Sequence, residues 1–209
     1  MSEPLTRRAH RLAAEALRAG GRAIDATAGN GHDTAFLADQ VGGAGLVLAI
    51  DRQRAAISAA RRRVAANGLG ERVALACADH ADLLGLTPAA WRGSVDCVMF
   101  NLGYLPGSDR SLITHPASTR AGLDAARYLL RPRGVLTVIA YRGHPGGAEE
   151  AGTVQAWMAD AAAEGDGWTW HAPPSQRGPV LHALRRGGGP VRSAAMPSPA
   201  GGELEHSET

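Results

Sequence analysis

Apolar and polar positions along this chain switch repeatedly between a helical and a strand-like period. Residues 5–19 carry apolar side chains at helical spacing with no breaker, which predicts a leading helix. Ala23-Ile24-Asp25 reads as the end of a short buried strand, Gly29 and Gly31 as a loop, and 32–40 as a helix. A second apolar strand covers 46–50 and is closed by Asp51. Residues 55–67 return to the helical period, with Ile57 and Val64 on one face and Gly68 as a stop. Strands are expected at 73–77 and 95–100, with a short helical stretch at 88–91 between them. A loop rich in Gly, Pro and Ser follows over 102–115. Residues 116–130 read as a helix with Pro near its start. A fifth strand is expected at 135–141, a helix at 149–164, and two closing strands at 168–171 and 180–186.

Strands alternating with helices predict an α/β fold with a parallel sheet covered on both faces and joined by right-handed crossovers. Two strands close together at the end predict an antiparallel edge hairpin. The expected sheet is therefore seven-stranded and mostly parallel. A length of 209 residues suits one domain. That domain is expected to span 1–186. The remainder, 187–209, turns to Gly, Pro, Ser and acidic residues and reads as a disordered tail.

Composition excludes more than it assigns. No apolar run is long enough to span a bilayer, and residues 1–11 lack the apolar stretch of a secretory signal. A cytoplasmic protein with no membrane partner is expected. Net charge is only +2, and all 22 basic residues are arginine. With so much Ala and Gly, this reads as compositional bias rather than a nucleic-acid signal. Arg61-Arg62-Arg63 reads first as a solvated helix face, with phosphate contact as the alternative. Cys77 and Cys97 fall in apolar strands and read as buried thiols. No His-Glu-x-x-His or similar spacing is present, and no metal site is expected.

The candidate chemistry sits where strands end. Asp25-Ala26-Thr27-Ala28-Gly29-Asn30-Gly31 follows the first strand, where open α/β sheets bind ligands. Its glycines permit close backbone approach. The helix it opens presents amides to an anion such as an amino-acid carboxylate, and Asp25 can accept from the ammonium beside that carboxylate. Asp51 ends the second strand, 20 residues after Gly31, where an acid can hold ribose hydroxyls; the alternative is a helix cap. Asp79, in Cys77-Ala78-Asp79-His80, can meet an adenine amino group or cap the next helix. Two acids would also suit NAD; the third, with the motif after the fourth strand, favours S-adenosylmethionine (SAM).

That motif is Asn101-Leu102-Gly103-Tyr104-Leu105-Pro106-Gly107. Its place resembles the Asn-Pro-Pro-Tyr segment of amino methyltransferases, with Asn101 and Tyr104 at matching spacing. Three blocks together closely resemble the bacterial rRNA methylase-like proteins understood as tRNA wobble-uridine aminomethyl methyltransferases, the MnmM family. They are Asp25 through Gly31 with His32-Asp33-Thr34, then the Asn101 block, then Tyr141-Arg142-Gly143-His144-Pro145-Gly146-Gly147 with Glu150. The resemblance covers roughly residues 5–186.

The resemblance implies a Rossmann-like class I methyltransferase fold, SAM as cofactor, and N-methylation of 5-aminomethyl-2-thiouridine in tRNA. It places Asn30, His32, Asp33, Thr34, Asp51 and Gln53 in the SAM region, beside Asp25, Thr27, Gly29, Gly31, Asp79 and His80. It maps Asn101, Tyr104, Tyr141 and His144 to the mouth where the amine enters, with His144 and Tyr141 as candidate proton acceptors, and it suggests a homodimer. Two alternatives stay open: a small-molecule amine methyltransferase with the same core, and a nucleotide-binding module without activity. A tRNA enzyme needs a basic face beside the pocket, for which Arg110, Arg120, Arg142 and Arg177 are candidates.

Overall fold

The computed structural model describes residues 3–103, 115–164, 167–171 and 178–189. The elements run α1 (Leu5–Ala14), β1 (Arg22–Asp25), α2 (His32–Val41), β2 (Leu46–Asp51), α3 (Arg54–Ala66), β3 (Val73–Cys77), α4 (Leu83–Leu86), β4 (Val95–Leu102), α5 (Pro116–Leu129), β5 (Leu130–Ala140), α6 (Gly147–Ala163), β6 (Trp168–His171) and β7 (Val180–Arg186). One seven-stranded sheet has the order β3-β2-β1-β4-β5-β7-β6. The first five strands are parallel, and β7 and β6 close the edge antiparallel. This is the predicted α/β class, with both faces covered. One core gathers Ile24, Phe100, Leu123, Leu136 and Met158. The other packs Ala9 and Ala13 of α1 and Leu37 of α2 against Val47, Met99 and Ile139.

Central strands β1 and β4 are buried along nearly their whole length, because sheet neighbours and helices on both faces leave them no solvent side. The chain leaves β1 for β2 on one side and reaches β4 on the other. Its carboxyl edge is therefore a topological switch point, where a crevice opens.

Several boundaries differ from the sequence expectation. The first helix stops at Ala14 rather than at 19. Tertiary bonds take the next turn: Arg131 Nη2 donates to the Ala16 carbonyl at 2.7 Å, and Arg18 Nε donates to Asp96 at 2.8 Å. Gly21 lies so close to Asp96 that an added Cβ would sit 1.9 Å from its carboxylate. The fifth strand begins at Leu130, five residues early, with an irregularity between Val95 and Cys97 and a positive φ of 66° at Arg133. The turn His80–Asp82 and the short α4 have no counterpart in the sequence reading. Cys97 is buried, but Cys77 is exposed. It stands on the outermost parallel strand, where no residue is fully buried. Gly187 still bonds to the fold, its N–H donating to the Gly167 carbonyl at 2.6 Å. No helix among the described residues is long and apolar enough to cross a membrane.

Candidate active site

The loop after β1 is sewn to both neighbouring strands. Ala26 N–H donates to the Met99 carbonyl of β4 at 2.9 Å, and Ala28 N–H to the Ile50 carbonyl of β2 at 2.8 Å. Between them, the Thr27 hydroxyl accepts from the Asn101 backbone N–H at 2.7 Å. The loop therefore fixes the end of β4 as well as its own path. Gly31 turns into α2 at φ 76°, and an added Cβ there would lie 2.6 Å from the Ala60 Cα. Only glycine fits that approach between α2 and α3. As the N-cap of α2, Gly31 brings no side chain to the first amides of the helix, which stay open to an anion.

A cavity of about 540 Å³ opens at this point, a size typical of small-molecule sites. Of the residues expected in the cofactor region, Thr27, Gly29, Asn30, His32, Asp33, Asp51, Gln53, His80 and Asn101 line it. From the expected mouth, Tyr141 and His144 line it too. Tyr104, Arg110 and Arg177 lie outside the described residues.

Four expected residues do not reach the cavity wall, and each has a structural task. Asp25 is fully buried; it accepts from the Thr34 hydroxyl at 2.6 Å and from Thr27 N–H at 3.2 Å. Burial, with the nearby Asp33 carboxylate, pushes its pKa from 3.8 up to about 7. Thr34 is thereby spent on Asp25, and Gly31 on the turn. Asp79 caps the turn His80–Asp82 by accepting from Ala81 N–H at 2.9 Å, and it pairs with Arg52 at 3.3 Å. The capping alternative holds for it.

Asp51 accepts from Gly29 N–H and Gln53 N–H, each at 2.9 Å, and still lines the cavity. Its carboxylate is thus oriented by the loop and by the entry to α3. His80 is buried beneath the cavity with its ring edge-on to Phe100 at 5.5 Å. Burial lowers its pKa despite the neighbouring Asp79, so it is neutral at neutral pH. At the other wall, Tyr141 N–H donates to the Leu102 carbonyl at 3.0 Å, and its ring lies against Gly103. An added Cβ at Gly103 would meet Tyr141 Cδ2 at 3.1 Å. His144 Nδ1 is 3.0 Å from the Pro145 carbonyl oxygen. Buried Glu150 accepts from the Thr119 hydroxyl at 2.6 Å, joining the first turns of α5 and α6 behind this wall.

The sequence reading did not find Arg52, which lines the cavity beside Asp51; its position directly after the strand-ending acid was the available signal. Nor did it find His10 of α1, whose Nε2 is 2.6 Å from Asp33. No local pattern marks a partner 23 residues away on another helix.

A glycine-bearing loop, an acid at the end of β2 and an Asn at the end of β4 surround one cavity. The family described as "Putative rRNA methylase" matches residues 47–168. The chain belongs to this family. A curated relative, the chloroplastic tRNA (mnm(5)s(2)U34)-methyltransferase of Arabidopsis thaliana, is 38% identical over 157 residues. That stretch is 71% of this chain and 57% of the relative, so the chain spans little over half the relative's length. Among solved structures, a "putative rRNA-methylase" from Clostridium thermocellum superposes with a TM-score of 0.81 at 30% identity, covering 88% of this chain and 98% of that one. A methyltransferase from Streptococcus mutans in complex with S-adenosylhomocysteine (SAH) gives 0.76 at 25% identity, covering 88% and 99%. The fold is the class I methyltransferase fold, and the family's cofactor is SAM. The cavity fits that group: its oriented acids suit a cation and ribose hydroxyls, and the uncapped start of α2 suits a carboxylate.

Proposed function

We propose that this chain is a SAM-dependent N-methyltransferase acting on the aminomethyl group of 5-aminomethyl-2-thiouridine at the tRNA wobble position. The observation that carries the reading is the bond between Thr27 and Asn101. It ties the cofactor loop to the residue best placed to orient an acceptor amine. The name of the Arabidopsis relative supports the choice of substrate.

SAM supplies an electrophilic methyl group on a sulfonium. The protein's part is placement. Asp51 accepts from ribose hydroxyls while Gly29 and Gln53 hold its carboxylate in place. Asn101 accepts a hydrogen bond from the neutral amine through its carboxamide oxygen and so aims the nitrogen lone pair. Tyr141 covers the approach beside Gly103. His144 takes the proton that the amine must shed. Residues 1–186 carry the activity. Arg142, half-buried next to Tyr141, and exposed Arg120 on α5 contribute to the RNA-facing surface. Two copies in the cytoplasm complete that surface.

The direct test offers labelled SAM with bulk tRNA from cells lacking the final methylation, and in parallel with a panel of small primary amines. Label in tRNA at the wobble nucleoside is the expected outcome. Label only in small amines moves the substrate to a metabolite, and label in neither removes the proposed activity. Light scattering of the purified protein tests the dimer.

A further inference from the structure

We propose that His10, on the N-terminal helix, is a positioning residue of the cofactor site. It holds the Asp33 carboxylate so that the second oxygen of that group receives the ammonium of the donor's methionine end. The inference rests on SAM binding in the cavity described above.

The acids at the carboxyl edge are not equivalent. Asp25 has one protein donor on each oxygen and does not reach the cavity. Asp51 likewise has a donor on each oxygen, at the end of β2 beside Gln53. Asp79 is taken up by Ala81 N–H and Arg52. Asp33 lines the cavity, and its Oδ1 is held by His10 Nε2 at 2.6 Å. Its Oδ2 accepts no hydrogen bond among the described residues. The Asp33 side chain is 12% exposed, a shielded place where charge-assisted hydrogen bonds are stronger than in water.

His10 is itself fixed. Its ring stacks on Phe36 at 3.9 Å with an interplanar angle of 1°. Phe36 is three residues beyond Asp33 on α2, hence on the same helix face. Helix α1 is anchored at its other end by Arg185 of β7, which donates to Glu15 at 2.5 Å. The carboxylate is thus set in one orientation before any ligand arrives, which removes an ordering cost from binding.

The chemistry of an amino acid end fits this turn. A carboxylate and an ammonium one carbon apart need N–H donors and an anion side by side. The start of α2 has no side-chain cap, and it carries Asp33 in its first turn. Both halves of the zwitterion therefore meet one helix terminus, and α1 supplies the clamp.

Calorimetric titration of the full chain with SAH, and with its analogue carrying hydrogen in place of the α-amino group, tests this directly. Asp33→Asn is expected to weaken SAH roughly tenfold or more, the scale of a hydrogen bond to a charged group. His10→Ala should weaken SAH several-fold. Neither should move the deaminated analogue by more than about twofold. His10→Gln keeps an N–H donor at similar reach and should restore most of the lost affinity. Equal weakening of both ligands by His10→Ala, with no rescue by Gln, would reduce His10 to a packing residue and overturn the proposal. So would unchanged SAH affinity in Asp33→Asn. Wild-type protein that binds the deaminated analogue as tightly as SAH overturns the ammonium contact alone. Binding of neither ligand overturns the cofactor reading on which it stands.

Discussion

The two ends of the central sheet use the same side chain in opposite ways. At the amino end, Asp96 near the start of β4 is fully buried and answered by cations. Arg131 and Arg18 donate to one oxygen, and Arg22 N–H donates to the other at 3.1 Å. At the carboxyl end, Asp25, Asp33 and Asp51 are answered by backbone amides, a hydroxyl and an imidazole. None of these three has an arginine partner among the described residues. A carboxylate neutralised by guanidinium groups stiffens the fold. Asp33 and Asp51, held by neutral or weakly basic donors, line the cavity oriented but without an arginine partner among the described residues, whereas Asp25 lies buried behind it. The chain joins the two ends directly, since β4 begins beside Asp96 and ends at Asn101 and Leu102.

The sharpest way to break this division is Asp96→Ala. It removes a fully buried carboxylate and leaves half-buried Arg131 without its partner, and should lower folding stability by about 3–5 kcal/mol. SAH affinity of the folded fraction should stay within about twofold. Chemical denaturation and calorimetry read the two quantities separately, and a large loss of affinity would show the ends to be coupled. Asn101→Ala, five residues along the same strand, should do the reverse. Its melting temperature and SAM affinity should change little, while single-turnover methyl transfer slows roughly 10²-fold through lost positioning. Normal turnover would remove Asn101 from the amine site.

Asp51→Ala sharpens the comparison within the carboxyl end. Loss of an oriented acceptor should weaken SAM by about 1.5–3 kcal/mol in a folded variant. An unchanged titration would leave Asp51 as a loop brace only. The smallest effect is expected for Asp25→Asn. The folded-state pKa of Asp25 is raised to about 7. Its contribution to stability is therefore full below the ordinary aspartate pKa and is lost as pH rises through about 7. Asn keeps an acceptor for Thr27 and can still bond Thr34, but it cannot ionise. Relative to wild type, the variant should gain about 1–2 kcal/mol between pH 6 and pH 8. Denaturation curves at the two values check the sign, and a difference that shrinks with pH would contradict the buried acid.

Much of this architecture was legible in consecutive residues. The strand–helix alternation, the closing hairpin and the acids at strand ends all follow from periodicity and spacing. The match of three separated blocks carried the family and the cofactor. Boundaries moved where distant groups intervened, as when Arg131 and Asp96 ended α1 at Ala14. Cys77 was misread because an apolar strand does not reveal that it will lie third from the centre with an open face.

The sequence by itself determined the elements, the order of the chemistry along the chain, and the kind of ligand its acids and glycines suit. Tertiary structure decided which acids line the cavity. Asp25 and Asp79 stand at strand ends as Asp51 does, yet they turn to Thr34 and Ala81. Thr27 meets Asn101 across 74 positions of chain, and His10 meets Asp33 across 23. Local periodicity fixes which face of an element is apolar. The partner of a polar side chain depends on which strands lie side by side and how helices dock on them, and the sheet order β2-β1-β4 sets this at the cofactor loop.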